Sequence, residues 1–182
     1  MSNKSSDALG ALVQQIEEQS APLDTWTPKN CGEINIRIPS DGTWYHGGSA
    51  IKRDKLVRLF AKVLCKEQGQ YYLKTPVEKM AITVDDAPLL IVDWRLEPEP
   101  QGSVSPWLIC TDNVGREFVV SEQHPLVVHE DAQGQSVPYL VLPYGVEAKV
   151  ARSVFYAWAQ ELVETTPQGF QIHSAGVSFS LT

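Results

Sequence analysis

A surplus of basic residues is the first thing this sequence lacks. Its 182 residues carry 15 lysines and arginines against 22 aspartates and glutamates, a formal net charge of -7, and the pI is near 5.1. That balance argues against sequence-independent binding to DNA or RNA, where basic surface supplies most of the affinity. A free nucleotide needs only one local basic pocket and stays open. Cysteine is scarce as well. Cys31, Cys65 and Cys110 are odd in number, far apart and without a CxxC pair, which speaks against a disulfide framework or a zinc site and fits a reducing cytoplasm. His46, His124, His129 and His173 show no i,i+4 ligand spacing, so no metal is expected. No apolar run approaches the roughly 20 residues of a membrane span. The N-terminus from Met1 to Asp7 lacks the apolar stretch of a signal peptide. No Ser, Cys or Thr sits in a nucleophile-elbow pattern, although a triad assembled from distant parts stays open. The expectation is a cytoplasmic protein with no cofactor and no membrane partner.

What is present is a real core, with 43% hydrophobic residues, and one stretch dense in signals. Ile34-Asn35-Ile36-Arg37-Ile38 alternates strictly, as a half-buried strand does. Asp41-Gly42 suggests a type I′ turn into Thr43-Trp44-Tyr45-His46. Gly47-Gly48-Ser49 then leads to a helix expected over Lys52 to Glu67, with Leu56, Leu59, Phe60, Val63 and Leu64 on one face and Gly69 at its C-cap. Tyr71-Tyr72-Leu73 and Met80 to Val84 read as strands, joined by Thr75-Pro76-Val77-Glu78-Lys79. Ahead of this unit, Asp7 can cap a short helix striped by Leu9, Leu12, Val13 and Ile16, which gives an N-terminal helix over residues 1–19.

The second half is looser. Leu89 to Trp94 is an almost unbroken apolar strand expected in the middle of a sheet. Glu97 to Pro106 has linker composition but separates two strand-like runs, so an exposed hairpin loop is preferred to a domain boundary. Three more strands follow, and Val146 to Glu164 reads as a second long helix with Val150, Val154, Ala157, Trp158, Glu161 and Leu162 on one face. Phe170 to Leu181 forms a final extended segment. An internal echo is visible: Tyr71 to Leu90 can be laid over Trp107 to Val127, and hairpin-then-helix recurs, Ile34 to Glu67 against Leu126 to Glu164.

Several residues could carry chemistry, each with a plainer alternative. Gly47-Gly48-Ser49 with Lys52 and Arg53 could cradle a phosphate, or be a turn before a helix. Trp44 and His46 share a strand face and could flank a ligand base, or pack in the core. Glu78 and Lys79 lie in a loop, where functional residues concentrate, but solvation also explains such charges. Asp85 and Asp86 offer paired carboxylates for acid/base or metal work, or simply form the turn before Pro88.

Asp41 to His46, Gly48 to Arg53, Leu56 to Phe60, Tyr72 to Lys79 and Val84 to Pro88 together resemble the bacterial proteins catalogued as domain of unknown function 1285. The resemblance extends over nearly the whole chain. It implies a two-part α+β architecture with a duplicated hairpin-plus-helix motif, whose C-terminal part is similar to a pleckstrin-homology fold. The parts would be the N-terminal helix, an α+β domain over residues 20–88 and a sheet-plus-helix domain over 89–182. It also implies a pocket between the parts for a nucleotide-like ligand and a role in signal transduction. Thr75, Glu78, Lys79, Trp44 and Arg53 lie in the matching motifs and are assigned to ligand binding, with His46 and Asp86 added from the strand face and the turn. The leading expectation is a non-catalytic module for a nucleotide-based small molecule. The alternatives are an enzyme on a small nucleotide or phosphorylated substrate, using Asp85, Asp86, Glu78 and His46, and a protein-interaction scaffold.

Overall fold

The computed structural model describes residues 9–13, 22–98, 105–131 and 134–182. Residues 9–13 are helical (α1), with Leu12 buried. Asp7, Ile16 and the remainder of the expected N-terminal helix lie outside the described residues, as do 99–104 of the proline-rich loop. The chain is mixed α+β, mostly sheet, and forms two compact units: Met1–Pro88 together with Pro143–Val146, and Leu89–Leu142 together with Glu147–Thr182.

In the first unit β1 (Asn30–Ile38) buries Ile34, Ile36 and Ile38 and exposes the residues between them, as its alternation requires. The loop after it is longer than a two-residue turn. The Gly42 N–H donates to the Pro39 carbonyl at 3.0 Å, and Asp41 Oδ1 accepts the Thr43 N–H at 2.9 Å. Only Gly42 has positive φ there, so the expected type I′ turn at Asp41-Gly42 does not form. That geometry appears one step later. β2 (Tyr45–His46) and β3 (Ser49–Ala50) are joined by Gly47-Gly48, with φ of 58° and 82°.

Helix α2 is Asp54–Lys62, shorter than expected, because Leu64–Glu67 leave it as strand β4. Four residues with two apolar side chains fit either period. Pairing with β5 (Gln70–Lys74) across the positive-φ pair Gln68-Gly69 decides for the strand, so Gly69 closes a hairpin rather than a helix. β6 (Glu78–Val84) then returns alongside β1 in parallel. The sheet order is β3-β2-β1-β6-β5-β4. Trp44 is buried against it, stacked on Phe60 at 6.1 Å, with its indole N–H donating to the Pro88 carbonyl at 3.2 Å.

The second unit begins with β7 (Leu89–Glu97), which lies inside its sheet as the apolar run suggests, although Val92 is 46% exposed. Glu97 pairs with Trp107 across the loop, making it a hairpin connection to β8 (Trp107–Asp112). β9 (Glu117–Val119), β10 (Leu126–Glu130), β11 (Ser136–Val141) and β12 (Glu147–Val150) complete the sheet β10-β11-β12-β7-β8-β9. The expected helix from Val146 to Glu164 is therefore divided. Glu147-Ala148-Lys149-Val150 alternates in burial and pairs on both sides, antiparallel with β11 and parallel with β7. Helix α3 is only Arg152–Glu161, with Val154 and Trp158 buried and Glu161 exposed. The tail folds into β13 (Glu164–Thr166), β14 (Gly169–Ser174) and β15 (Val177–Ser180), a separate three-stranded sheet. Buried Ser174 joins it to β8 and the end of β9: its Oγ accepts from Leu108 N at 2.8 Å and donates to the Val120 carbonyl at 2.6 Å.

Read in chain order, both six-stranded sheets have the same plan: three strands step outward, three return, and the sixth lies parallel to the first. The internal echo is real at the level of strand order but not in the register expected. β1 corresponds to β7 and β5 to β11, whereas the sequence overlay puts Tyr71 to Lys74 of β5 on β8. Nor is the helix part of the shared plan. It follows the third strand in the first unit and the sixth in the second.

Candidate functional site

The hairpin β4–β5 and the adjacent β6 bring charged and aromatic side chains together in the first unit. Register places Glu67 opposite Gln70, Cys65 opposite Tyr72 and Lys74 opposite Lys79. Directly paired residues share a face, so Glu67, Tyr72, Lys74 and Lys79 lie together. Glu67 receives one lysine on each carboxylate oxygen: Lys74 Nζ is 3.0 Å from Oε1 and Lys79 Nζ 2.8 Å from Oε2. The Lys74 side chain is only 11% exposed. Lys79 also sits over the Tyr72 ring, 4.5 Å from its centroid, and Lys66 over Tyr71 at 5.1 Å. The hydrogen bond from Lys79, then that from Lys74, holds the Glu67 carboxyl below its ordinary range, and Glu67 in turn raises Lys79. Two ammonium groups against one carboxylate leave a local positive charge beside an aromatic face. Such a surface can take a phosphate and a flat ring together.

Of the residues singled out in the sequence, Thr75, Glu78 and Lys79 fall at this place. Thr75 is fully buried and shapes the turn that carries the other two. Its Oγ1 accepts from the N–H groups of Val77 at 3.3 Å and Glu78 at 3.1 Å, and its own N–H donates to the Glu78 carbonyl at 2.8 Å. Trp44 belongs to the core. His46 is half-buried on β2, opposite Ile36 and Ser49. Arg53 is exposed just ahead of α2, where its carbonyl accepts from Leu56 N at 2.9 Å. Asp86 is half-buried in the turn before Pro88, while its neighbour Asp85 pairs with Arg37 at 2.8 Å. Sequence reasoning misses Glu67 because helical spacing carries the expected helix through it; the turn-forming Gly69 between it and the aromatic pair Tyr71-Tyr72 is the signal that could find it.

One chain of hydrogen bonds in the second unit has the form of a nucleophile, base and acid. Ser178 Oγ lies 2.7 Å from His173 Nδ1, and His173 Nε2 lies 3.2 Å from Glu164 Oε2. It runs across the open face of the three-stranded sheet, with His173 40% and Glu164 67% exposed. Water competes for each of these groups, so the arrangement lacks the dry, preorganised surroundings that give a triad its power. Cys65 and Cys110 are buried thiols, pushed up by burial to about 11 and about 12. Among the described residues no helix is long and apolar enough to cross a membrane, and none group as a metal site.

The whole chain has well-defined relatives. Residues 21–87 match the model of the domain of unknown function DUF1285, N-terminal domain, and residues 88–181 that of the protein of unknown function DUF1285, C-terminal domain. The crystal structure of a DUF1285 family protein from Silicibacter pomeroyi DSS-3 is similar with a TM-score of 0.83 at 36% identity, covering 94% of each chain. That of a DUF1285 family protein from Shewanella baltica OS155 gives 0.57 at 30% identity, covering 71% of this chain and 93% of that one. Among curated proteins no relative matches. Matched over residues 21–181 by the two family models together and by a solved structure over nearly its full length, the chain belongs to the DUF1285 family.

Proposed function

We propose that this protein is a non-catalytic binding module for a small, nucleotide-based anion, acting in signal transduction. The observation that carries the proposal is the pair Lys74 and Lys79 sharing one carboxylate above the Tyr72 ring. Glu67 there is displaceable: a ligand phosphate is a stronger, multidentate acceptor for the same two ammonium groups. Tyr72 supplies a face for a base, and buried Thr75 fixes the turn from which Lys79 extends. The same reading takes the second unit as pleckstrin-homology-like, supported by a sheet of meandering strands followed by a helix.

A thermal-shift panel of mononucleotides, dinucleotides and cyclic nucleotides tests it. A ligand at about 100 times its Kd adds about 2.7 kcal/mol to native stability, so a selective rise in Tm is expected for the matching nucleotide. Lys79→Ala should abolish that rise while leaving the unliganded protein folded. A panel without any shift at millimolar concentration, or a shift indifferent to Lys79→Ala, would remove this reading.

A further inference from the structure

The second unit contains a cleft of about 330 Å³, formed by β11, the end of β12 and the first turns of α3. Its size is at the lower end of the range in which proteins hold small molecules. Pro138 and Val150 are its buried apolar parts. Around them stand Lys149 from β12 and Arg152, Phe155 and Tyr156 from α3. Positions i, i+3 and i+4 lie on one side of a helix, so these three α3 residues share a face. The core uses the other face, through Val154 and Trp158.

Stability does not account for what this outer face carries. Tyr156 is 57% exposed, more than any other large apolar side chain described. Phe155 is beside it, ring centroids 6.4 Å apart at 39°. Arg152 is exposed and has no carboxylate partner among the described residues. A solvated helix face is normally polar, and here it presents two rings next to an unpaired guanidinium. Asp131 is the acidic member of the lining, and its Oδ1 already accepts the Gln135 N–H at 2.9 Å. Two cations against one carboxylate make this a locally positive cleft in a chain of net charge -7.

We propose that this cleft binds an aromatic phosphate monoester. The phosphate is held by the planar fork of Arg152 and the ammonium of Lys149, and the aromatic group lies against Tyr156 and Phe155. A guanidinium recognises phosphate oxygens two at a time, and exposed rings gain from covering a flat apolar partner. The site is separate from the Lys74–Lys79 cluster and does not depend on how that cluster is read.

Saturation-transfer NMR on the full chain tests it, with phenyl phosphate as the probe and inorganic phosphate and phenol as its two halves. Transfer to the phenyl protons is expected. The variants are made in a Lys79→Ala background, which removes the first-unit cluster as a second acceptor of the probe. There binding should weaken by about tenfold with Arg152→Gln, the loss typical of one charge-assisted contact, and measurably with Tyr156→Ala. An amide spectrum checks that each variant is folded. Three results would each overturn the proposal: no transfer, equal affinity with and without Arg152→Gln, or transfer abolished by Lys79→Ala alone. Phenol binding as tightly as phenyl phosphate would refute the anion contact, and inorganic phosphate binding as tightly would refute the ring contact.

Discussion

Glu67 is bound to two ammonium groups, so its titration should be visible in the stability of the first unit. Its folded pKa lies below the ordinary 4.5, because Lys79 and then Lys74 donate to the charged form. A depressed carboxyl contributes stability that is present above pH 4.5 and is lost as pH falls through the folded value. Lys79 is raised above 10.5, so its share is present below that pH and is lost as the folded value is passed on the alkaline side. The Tm difference between the native chain and Glu67→Gln should therefore be widest near neutrality and should close at both extremes. The side chain is 39% exposed, so solvent screening keeps the effect modest. Removing the carboxylate still leaves nearly buried Lys74 without it, which makes the variant less stable than loss of a surface pair would suggest. A Tm difference independent of pH would show that the trio is not ionised as a unit. At this scale the sequence was only partly informative. Thr75, Glu78 and Lys79 were visible as a motif, but Thr75 turned out to be wholly enclosed, and burial cannot be read from a Thr-Pro dipeptide in a polar loop.

At the scale of elements, the turns are the sharpest feature. Gln68-Gly69 closes β4 onto β5 with φ of 50° and 81°, and Ala175-Gly176 closes β14 onto β15 with 50° and 76°. An L-residue in this region costs about 1–2 kcal/mol. Gly69→Ala should accordingly destabilise by about that amount in urea unfolding, whereas Gln68→Gly, which relieves an existing cost, should be neutral or stabilising. Destabilisation by Gln68→Gly of the size seen for Gly69→Ala would mean that the Gln68 side chain contributes more than its backbone strain removes. Strand β1 and the hairpin nature of the loop after Glu97 were legible, because alternation and linker position are local signals. The two long helices were each over-extended across a neighbouring strand. Glu147-Ala148-Lys149-Val150 satisfies helical spacing as well as alternation, and Leu64-Cys65-Lys66-Glu67, buried in its first two residues, is too short to show either period; only the partner strands break the tie.

The whole molecule repeats one six-strand plan in two units, and the first unit borrows a piece from far along the chain. Pro143–Val146 belongs with residues up to Pro88. A Cβ on Gly145 would stand 3.0 Å from the Lys66 carbonyl oxygen, at a φ of 74°. Gly145→Val should therefore destabilise the first unit although the substitution lies beyond residue 140. Hydrogen exchange should report faster opening of residues 64–74 than in the native chain, with β8 and β9 protected as before. Unchanged protection of β4 and β5 would dissociate the segment from that unit.

The sequence by itself determined the class of structure, the acidic balance that disfavours nucleic acid, the alternating strand at Ile34 to Ile38 and the family. These depend on composition and on spacings within about ten residues, which survive without partners. Tertiary structure alone decided where α2 and α3 stop, which strands correspond between the units, that Trp44 and Thr75 face inward, and that Glu67 meets Lys74 and Lys79. The physical reason is common to all four. Each is settled by which backbone groups find partners across a sheet, and those partners are set by pairing between strands that no local spacing records.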